Sequence, residues 1–158
     1  MTPRIRPATL EDVDELARLR WEFRVEAGTA VTASFDGFLE GFRGFATDVL
    51  AGDAWRAWVA EGDAGGLVGC AWLQLVEKVP HPSRTRWERP VGYVTNMYVE
   101  PAARDAGLGR ALLDALVAHA RERGVDGLML WPSERSTPFY RRAGFGREGW
   151  LWLGVEGD

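Results

Sequence analysis

One stretch limits the fold more than any other: Asn96 to Gly124, "NMYVEPAARDAGLGRALLDALVAHARERG". It leaves an apolar run, crosses a short loop ending in Gly107-Leu108-Gly109, and enters an amphipathic helix expected from about Leu108 to Arg123, with Gly124 as its stop. Leu112, Leu113, Leu116, Val117 and Ala120 repeat at helical spacing and give that helix one face to bury. Backbone N–H groups at a helix start have no internal partner, and the helix dipole adds positive potential there. A loop of this design suits an anion. Gly107 and Gly109 allow close approach to the backbone and positive φ, while Arg104 and Arg110 put charge at the edges of the nest. The glycines equally suit a tight helix entry with no ligand. A dinucleotide turn fits poorly, because Glu100 to Ala106 separate strand from glycines and Leu112 stands where that pattern wants a third glycine.

The flanking sequence supplies the rest of a single domain over residues 1–158, a length that buries one sizeable core. "RIRPA" reads as a strand. "TLEDVDELARLRWEF" reads as a helix capped by Thr9, with Leu10, Val13, Leu16, Leu19 and Phe23 on one stripe. "SFDGFLEGFRGFATDVL" repeats the pattern with Phe35, Phe38, Phe42, Phe45 and Val49, weakened by three glycines. Three strands follow in "AWRAWVAEG", "GGLVGCAWLQLVEKV" and "PVGYVTNMYVE". After the long helix come a strand in "DGLMLWP", a short helix in "TPFYRRAG" and a last strand in "REGWLWLGV". The order predicts an α+β domain with a mixed sheet and helices on both faces.

Formal net charge is −4, which argues against a broad electrostatic hold on nucleic acid and favours a small-molecule or peptide partner. No apolar run reaches the length of a membrane span, and the charged start reads as cytoplasmic. The single cysteine, Cys70, reads as core, and His81 and His119 lack metal-site spacing, so no metal is expected. Ser133, Ser136 and Thr137 read as caps for the short helix.

These segments together resemble the GCN5-related N-acetyltransferase (GNAT) superfamily. Arg104-Asp105-Ala106-Gly107-Leu108-Gly109 matches its Arg/Gln-x-x-Gly-x-Gly/Ala core, "MYVEP" its strand ending in Val-x-Pro, and "TPFYRRAGF" its later Phe/Leu-Tyr-x-x-x-Gly-Phe signature. The three matches fall in the family's order. The resemblance implies a mostly antiparallel sheet of six to seven strands, splayed between the fourth and fifth, and acetyl-coenzyme A as co-substrate.

By the same resemblance the amides of Asp105, Ala106, Gly107, Leu108, Gly109 and Arg110 hold the pyrophosphate. Met97 and Val99 offer backbone groups to the pantetheine arm. Tyr140 is the expected acid, and the N–H of Val99, or one beside it, polarises the thioester carbonyl. Ser133 stands where many members carry an asparagine that contacts the arm, which leaves that contact open. The implied reaction is direct attack of an amine in a ternary complex. The rival on the same fold is a non-catalytic acyl-coenzyme A sensor. Members are often dimers, so a homodimer is one expected assembly.

For the acceptor, Glu26 and Glu88 are the carboxylates considered as base, and each reads equally as a solvated surface group. No base is assigned. Trp21, Trp87 and Trp131 border the acceptor side in this family and suggest an aromatic wall. The acceptor itself is not legible.

Overall fold

The computed structural model describes residues 4–80, 82 and 89–146. In chain order these form β1 (Arg4–Pro7), α1 (Val13–Glu26), α2 (Phe35–Ala51), β2 (Trp55–Glu61), β3 (Leu67–Val76), β4 (Val91–Val99), α3 (Leu108–Glu122), β5 (Gly127–Met129) and α4 (Thr137–Arg142). Short 3-10 turns at Leu10–Asp12 and Pro101–Ala103 lead into α1 and into the glycine loop.

The strands lie in the order β1-β2-β3-β4-β5, antiparallel up to β4, with β5 added parallel. The described residues thus give five strands where six to seven were expected. The expected last strand, with Trp150 and Trp152, lies outside the described residues, as do His81, Trp87 and Glu88.

Strand alternation divides the core in two. Ala57, Val59, Cys70, Trp72 and Tyr98 face α1 and α2, where Leu16, Ala17, Leu19, Phe42 and Ala46 are buried. Trp58, Ala60, Ala71, Leu73 and Val94 face α3, through Leu108, Leu112, Leu116 and Ala120. Two members of the expected stripes, Leu10 and Phe45, are left exposed. Leu10 is exposed because the chain begins in a 3-10 turn there, held by the Thr9 N–H donating to the Asp12 carboxylate at 2.8 Å. Phe45 is only partly covered, set against Trp55 and Trp72 at the rim of α2.

Two features of β4 position the site. Cys70 pairs with Tyr98 but Trp72 pairs with Thr95, so β4 carries one extra residue, a β-bulge around Asn96. Asn96 sits at φ 47°, a left-handed conformation that asparagine tolerates better than most side chains. Beyond the bulge, Gly69 of β3 lies opposite Val99. A Cβ on Gly69 would come within 2.9 Å of the Tyr98 carbonyl oxygen, 3.2 Å of Val99 Cγ2 and 3.3 Å of Leu112 Cδ1. Its absence lets β4 and α3 close over β3 at the point where the glycine loop begins. Gly69→Ala is therefore expected to destabilise the fold by about 1–3 kcal/mol, measured by urea unfolding, because the nearest obstacle is backbone.

Candidate active site

β4 and β5 pair only through Val91 with Gly127, Gly92 with Leu128 and Tyr93 with Met129. β4 then runs on to Val99 while β5 ends, so the sheet opens along the second half of β4. The strand expected over "DGLMLWP" is thus cut to three residues, since Leu130 onward has no sheet neighbour to bond. A cavity of about 740 Å³ fills the opening. Tyr93 to Val99 form one wall, Leu130 to Ser133 another, Arg20, Phe23, Arg24 and Glu26 of α1 a third, and Tyr140 of α4 closes one side.

The glycine loop sits at the end of this opening. Gly107 takes φ 79° as the residue before α3, and Asp105 takes φ 62°. Two left-handed residues so close together fold the chain into a turn whose amides lead into the start of α3. Gly109 is ordinary helix, and a Cβ there would make only normal contacts with Phe139 at 3.7 Å and Met97 Cε at 3.9 Å. So protein packing does not demand glycine at 109, whereas backbone conformation does favour it at 107. Met97 links loop to cavity, since it touches the Gly109 position and lines the opening.

Strand alternation orients β4. The Glu100 N–H bonds back to Val68 at 2.9 Å, so the backbone groups of Val99 point the other way, into the opening. The Val99 carbonyl accepts from Arg104 Nε at 2.9 Å, which leaves the Val99 N–H as the group directed there.

The two arginines expected to edge the nest are engaged elsewhere. Arg110 donates to Asp114 at 2.8 Å, one turn along α3. Arg104 donates to Glu26 at 2.7 Å and lies over the Tyr98 ring at 5.8 Å. Glu26 also accepts from Arg135 at 2.9 Å. The Arg104 hydrogen bond, against a desolvation cost, holds the Glu26 carboxyl down to about 2. Glu26 thus braces two arginines, which hold it in the ionised form.

The other expected residues separate. Trp21 packs at 5.4 Å from both Phe35 and Phe38, in the α1–α2 contact, and is not part of the cavity wall. Trp131 does line the cavity, edge-on to Tyr93 at 5.0 Å. Ser133 lines it too, but its Oγ accepts the Ser136 N–H at 3.2 Å and its carbonyl accepts from Thr137 Oγ1 at 2.9 Å, so it closes the turn before α4, whose N-cap residue is Ser136. Cys70 is fully buried, its thiol pushed up to about 12 by burial, and is inert core. Tyr140 has its hydroxyl pushed up to about 12 by burial alone.

Residues not singled out from sequence also enter the cavity: Arg20, Asn96, Tyr98 and Arg135. Asn96 was detectable in principle, as an asparagine inside a strand of apolar and aromatic residues. Arg20 and Arg135 look like any surface arginine until α1 and the loop before α4 are brought together.

The family model for the acetyltransferase (GNAT) family matches residues 11–145. The chain belongs to this family. Over 81 residues it is 40% identical to a glucosamine 6-phosphate N-acetyltransferase of Trypanosoma brucei brucei, covering 51% of this chain and 52% of that protein. Over 90 residues it is 39% identical to a mycothiol acetyltransferase of Propionibacterium freudenreichii subsp. shermanii, covering 55% of this chain and 26% of that protein. The chain thus spans about half or less of these curated relatives. Among solved structures, a predicted acetyltransferase from Clostridium acetobutylicum, determined with acetyl-CoA, superposes with a TM-score of 0.82 at 26% identity, covering 98% of this chain and 97% of that one. The described residues therefore have the GNAT fold. No group of three or more His, Cys, Asp or Glu among the described residues could hold a metal ion, and no described helix is long and apolar enough to cross a membrane.

The Glu26 brace has a pH signature. Its folded-state carboxyl lies below the ordinary 4.5, so its contribution to stability is full above that value and is lost as pH falls through about 2. Glu26→Gln should accordingly melt below the parent chain at pH 7, with the gap narrowing as both are taken from about pH 5 toward pH 2. Paired thermal melts across that range measure it.

Proposed function

We propose that this chain transfers the acetyl group of acetyl-CoA to a primary amine of a small molecule or peptide, by direct attack in a ternary complex. The observation that carries the reading is the sheet opened after Tyr93, beside an α3 N-terminus whose loop is set in a left-handed turn. The residues fit the coenzyme: Gly109 has no packing reason to be glycine, and the left-handed turn at Asp105 and Gly107 leads into the start of α3, where free amides and the helix dipole favour an anion. Met97 and Val99 turn backbone groups into the opening, as an added strand would use them.

Bound acetyl-CoA supplies a thioester carbonyl open to attack by a neutral amine. The Val99 N–H is directed into the opening, where a donor fixed in advance stabilises growing negative charge on an oxygen. Tyr140 keeps its proton throughout the neutral range, its hydroxyl being pushed up to about 12, and can give it to the departing thiolate. The amine must arrive unprotonated, which at a pKa near 10.4 is true of only about one molecule in a thousand at pH 7. Glu26 does not remedy this, for the reason given by its two arginines. Glu88, outside the described residues, keeps its standing as the other carboxylate considered for the role. The named relatives, acting by their names on glucosamine 6-phosphate and in mycothiol acetylation, support a small-molecule acceptor. A soluble acceptor and a homodimer complete the reading.

Two variants test it. Gly109→Ala should melt no lower than the parent, yet bind acetyl-CoA at least about tenfold more weakly by calorimetry, because the added methyl stands where the diphosphate approaches. Tyr140→Phe should lose about 10²–10³ in kcat in a thiol-release assay with little change in coenzyme affinity. Tight coenzyme binding with thiol release no faster than hydrolysis over a broad amine panel would favour the sensor reading instead.

A further inference from the structure

The cavity wall holds four arginines, Arg20, Arg24, Arg104 and Arg135, and one described carboxylate, Glu26. Arg104 and Arg135 share that carboxylate. Arg20 and Arg24 pair with no described acid. Arg20 donates Nη1 to the Asn96 side-chain oxygen at 3.2 Å and lies 5.9 Å from the Phe23 ring centroid. An amide and an aromatic ring orient a guanidinium but do not neutralise it. Burial, with the repulsion of Arg24, lowers the pKa of Arg20. Arg24 stands one helical turn further along the same face of α1, the spacing at which like charges repel.

Folding gains little from this arrangement. A guanidinium partly removed from water is stable when a carboxylate or phosphate meets its fork, and here one N–H of the five is used. Asn96 is itself placed by the bulge, so the orientation of Arg20 is set by β4, the strand that lines the whole opening. Both arginines line the cavity beside β4, and the loop proposed for the coenzyme, which follows β4, is built from backbone rather than from these side chains.

We propose that Arg20, assisted by Arg24, binds an anionic oxygen group, carboxylate or phosphate, on the acceptor amine, so that this chain selects amines that also carry a negative charge. The proposal rests on the transferase reading above. Arg20 presents the planar fork that takes two oxygens at once, and Arg24, exposed at the mouth, adds attraction for the incoming anion.

The experiment uses matched acceptors at saturating acetyl-CoA: glucosamine 6-phosphate against glucosamine, and an amino acid against its amide. The expected result is a kcat/KM preference of roughly ten- to a hundredfold for the anionic member of at least one pair, which also tells phosphate from carboxylate. Arg20→Gln should bring that ratio close to one, mainly through KM, and Arg20→Lys should restore part of it. Should Arg20→Gln fail to fold, Arg24→Gln, at an exposed position, reads the same ratio and should lower it severalfold. Equal or better use of the neutral member in both pairs overturns the proposal, as does an Arg20→Gln that slows both members alike. If no amine releases thiol, the transferase reading has failed, and thermal shift in the presence of coenzyme A decides the anion site separately. Protection of the parent chain by an anionic member, lost in Arg20→Gln, would support the site, and no protection by either anionic member would overturn it.

Discussion

Everything at the site follows from how short the parallel pairing of β4 and β5 is. Three residue pairs hold the two strands, and Gly92 is what lets them approach, since a Cβ there would lie 2.5 Å from Leu128 Cδ2 and 2.9 Å from Leu73 Cδ1. The pairing is anchored at its start by the Asp126 N–H donating to the Pro90 carbonyl at 2.9 Å. After Tyr93 β4 bulges, and the chain beyond Met129 turns away through Pro132 toward α4. A continuous ladder would satisfy more backbone groups within the sheet. The open arrangement instead leaves half a strand to bond something that is not part of the sheet, which is the property an extended ligand needs.

An opening of this kind works only if its far end is held, and α1 does the holding through two sets of ion pairs. Arg18 reaches from α1 to the Leu67 carbonyl at 2.6 Å and to Glu100 at 2.6 Å, with Glu22 and Glu15 on its own helix. Glu100 begins the loop to α3, so Arg18 fixes where that loop leaves the sheet. Glu26, two turns further on, holds Arg104 from the middle of the same loop and Arg135 from the segment before α4. These groups are partly exposed, and each pair alone adds little stability. Their effect is geometric: the start of α3, the end of β4 and the approach to α4 are referred to one helix. Arg104 therefore acts by positioning the loop and occupying the Val99 carbonyl, not by lending its charge to the nest.

The elements that sequence reading recovered are those whose signal is local. The Gly124 stop of α3, the strand runs of β2 and β3, and the Gly107 turn each depend on residues within a few positions. What it did not recover depends on chain segments far apart. Arg104 looked like an edge of the nest because Arg-x-x-Gly-x-Gly puts it beside the glycines, but its partner Glu26 lies 78 residues earlier. Glu26 looked like an accessible carboxylate until two arginines from the last third of the chain met it. Trp21 was placed on the acceptor side by position in α1, yet the aromatic side chains of α2 offered it a better surface. Asn96 carried a signal that was read only as part of a strand, although an asparagine in such a run invites a left-handed residue and hence a bulge.

The two tyrosines near the opening show why partners, and not pKa values, separate roles. Tyr98 and Tyr140 both have their hydroxyls pushed up to about 12, but the causes differ. For Tyr98, burial acts together with a hydrogen bond to Glu26 and the field of that carboxylate, and its ring is stacked on Phe23 at 5.4 Å. Tyr98 thus stands in the field of a carboxylate that arginines keep ionised, and its ring lies under Arg104 at 5.8 Å, within the brace. For Tyr140 burial is the sole cause, and its ring is set edge-on between Phe139 and Phe145. The packing fixes the ring, no described residue accepts from the hydroxyl, and Tyr140 lines the opening along β4. A phenol held this way has its proton left for a group that arrives from outside, which is the physical ground for proposing Tyr140, and not its neighbour on the sheet, as the acid.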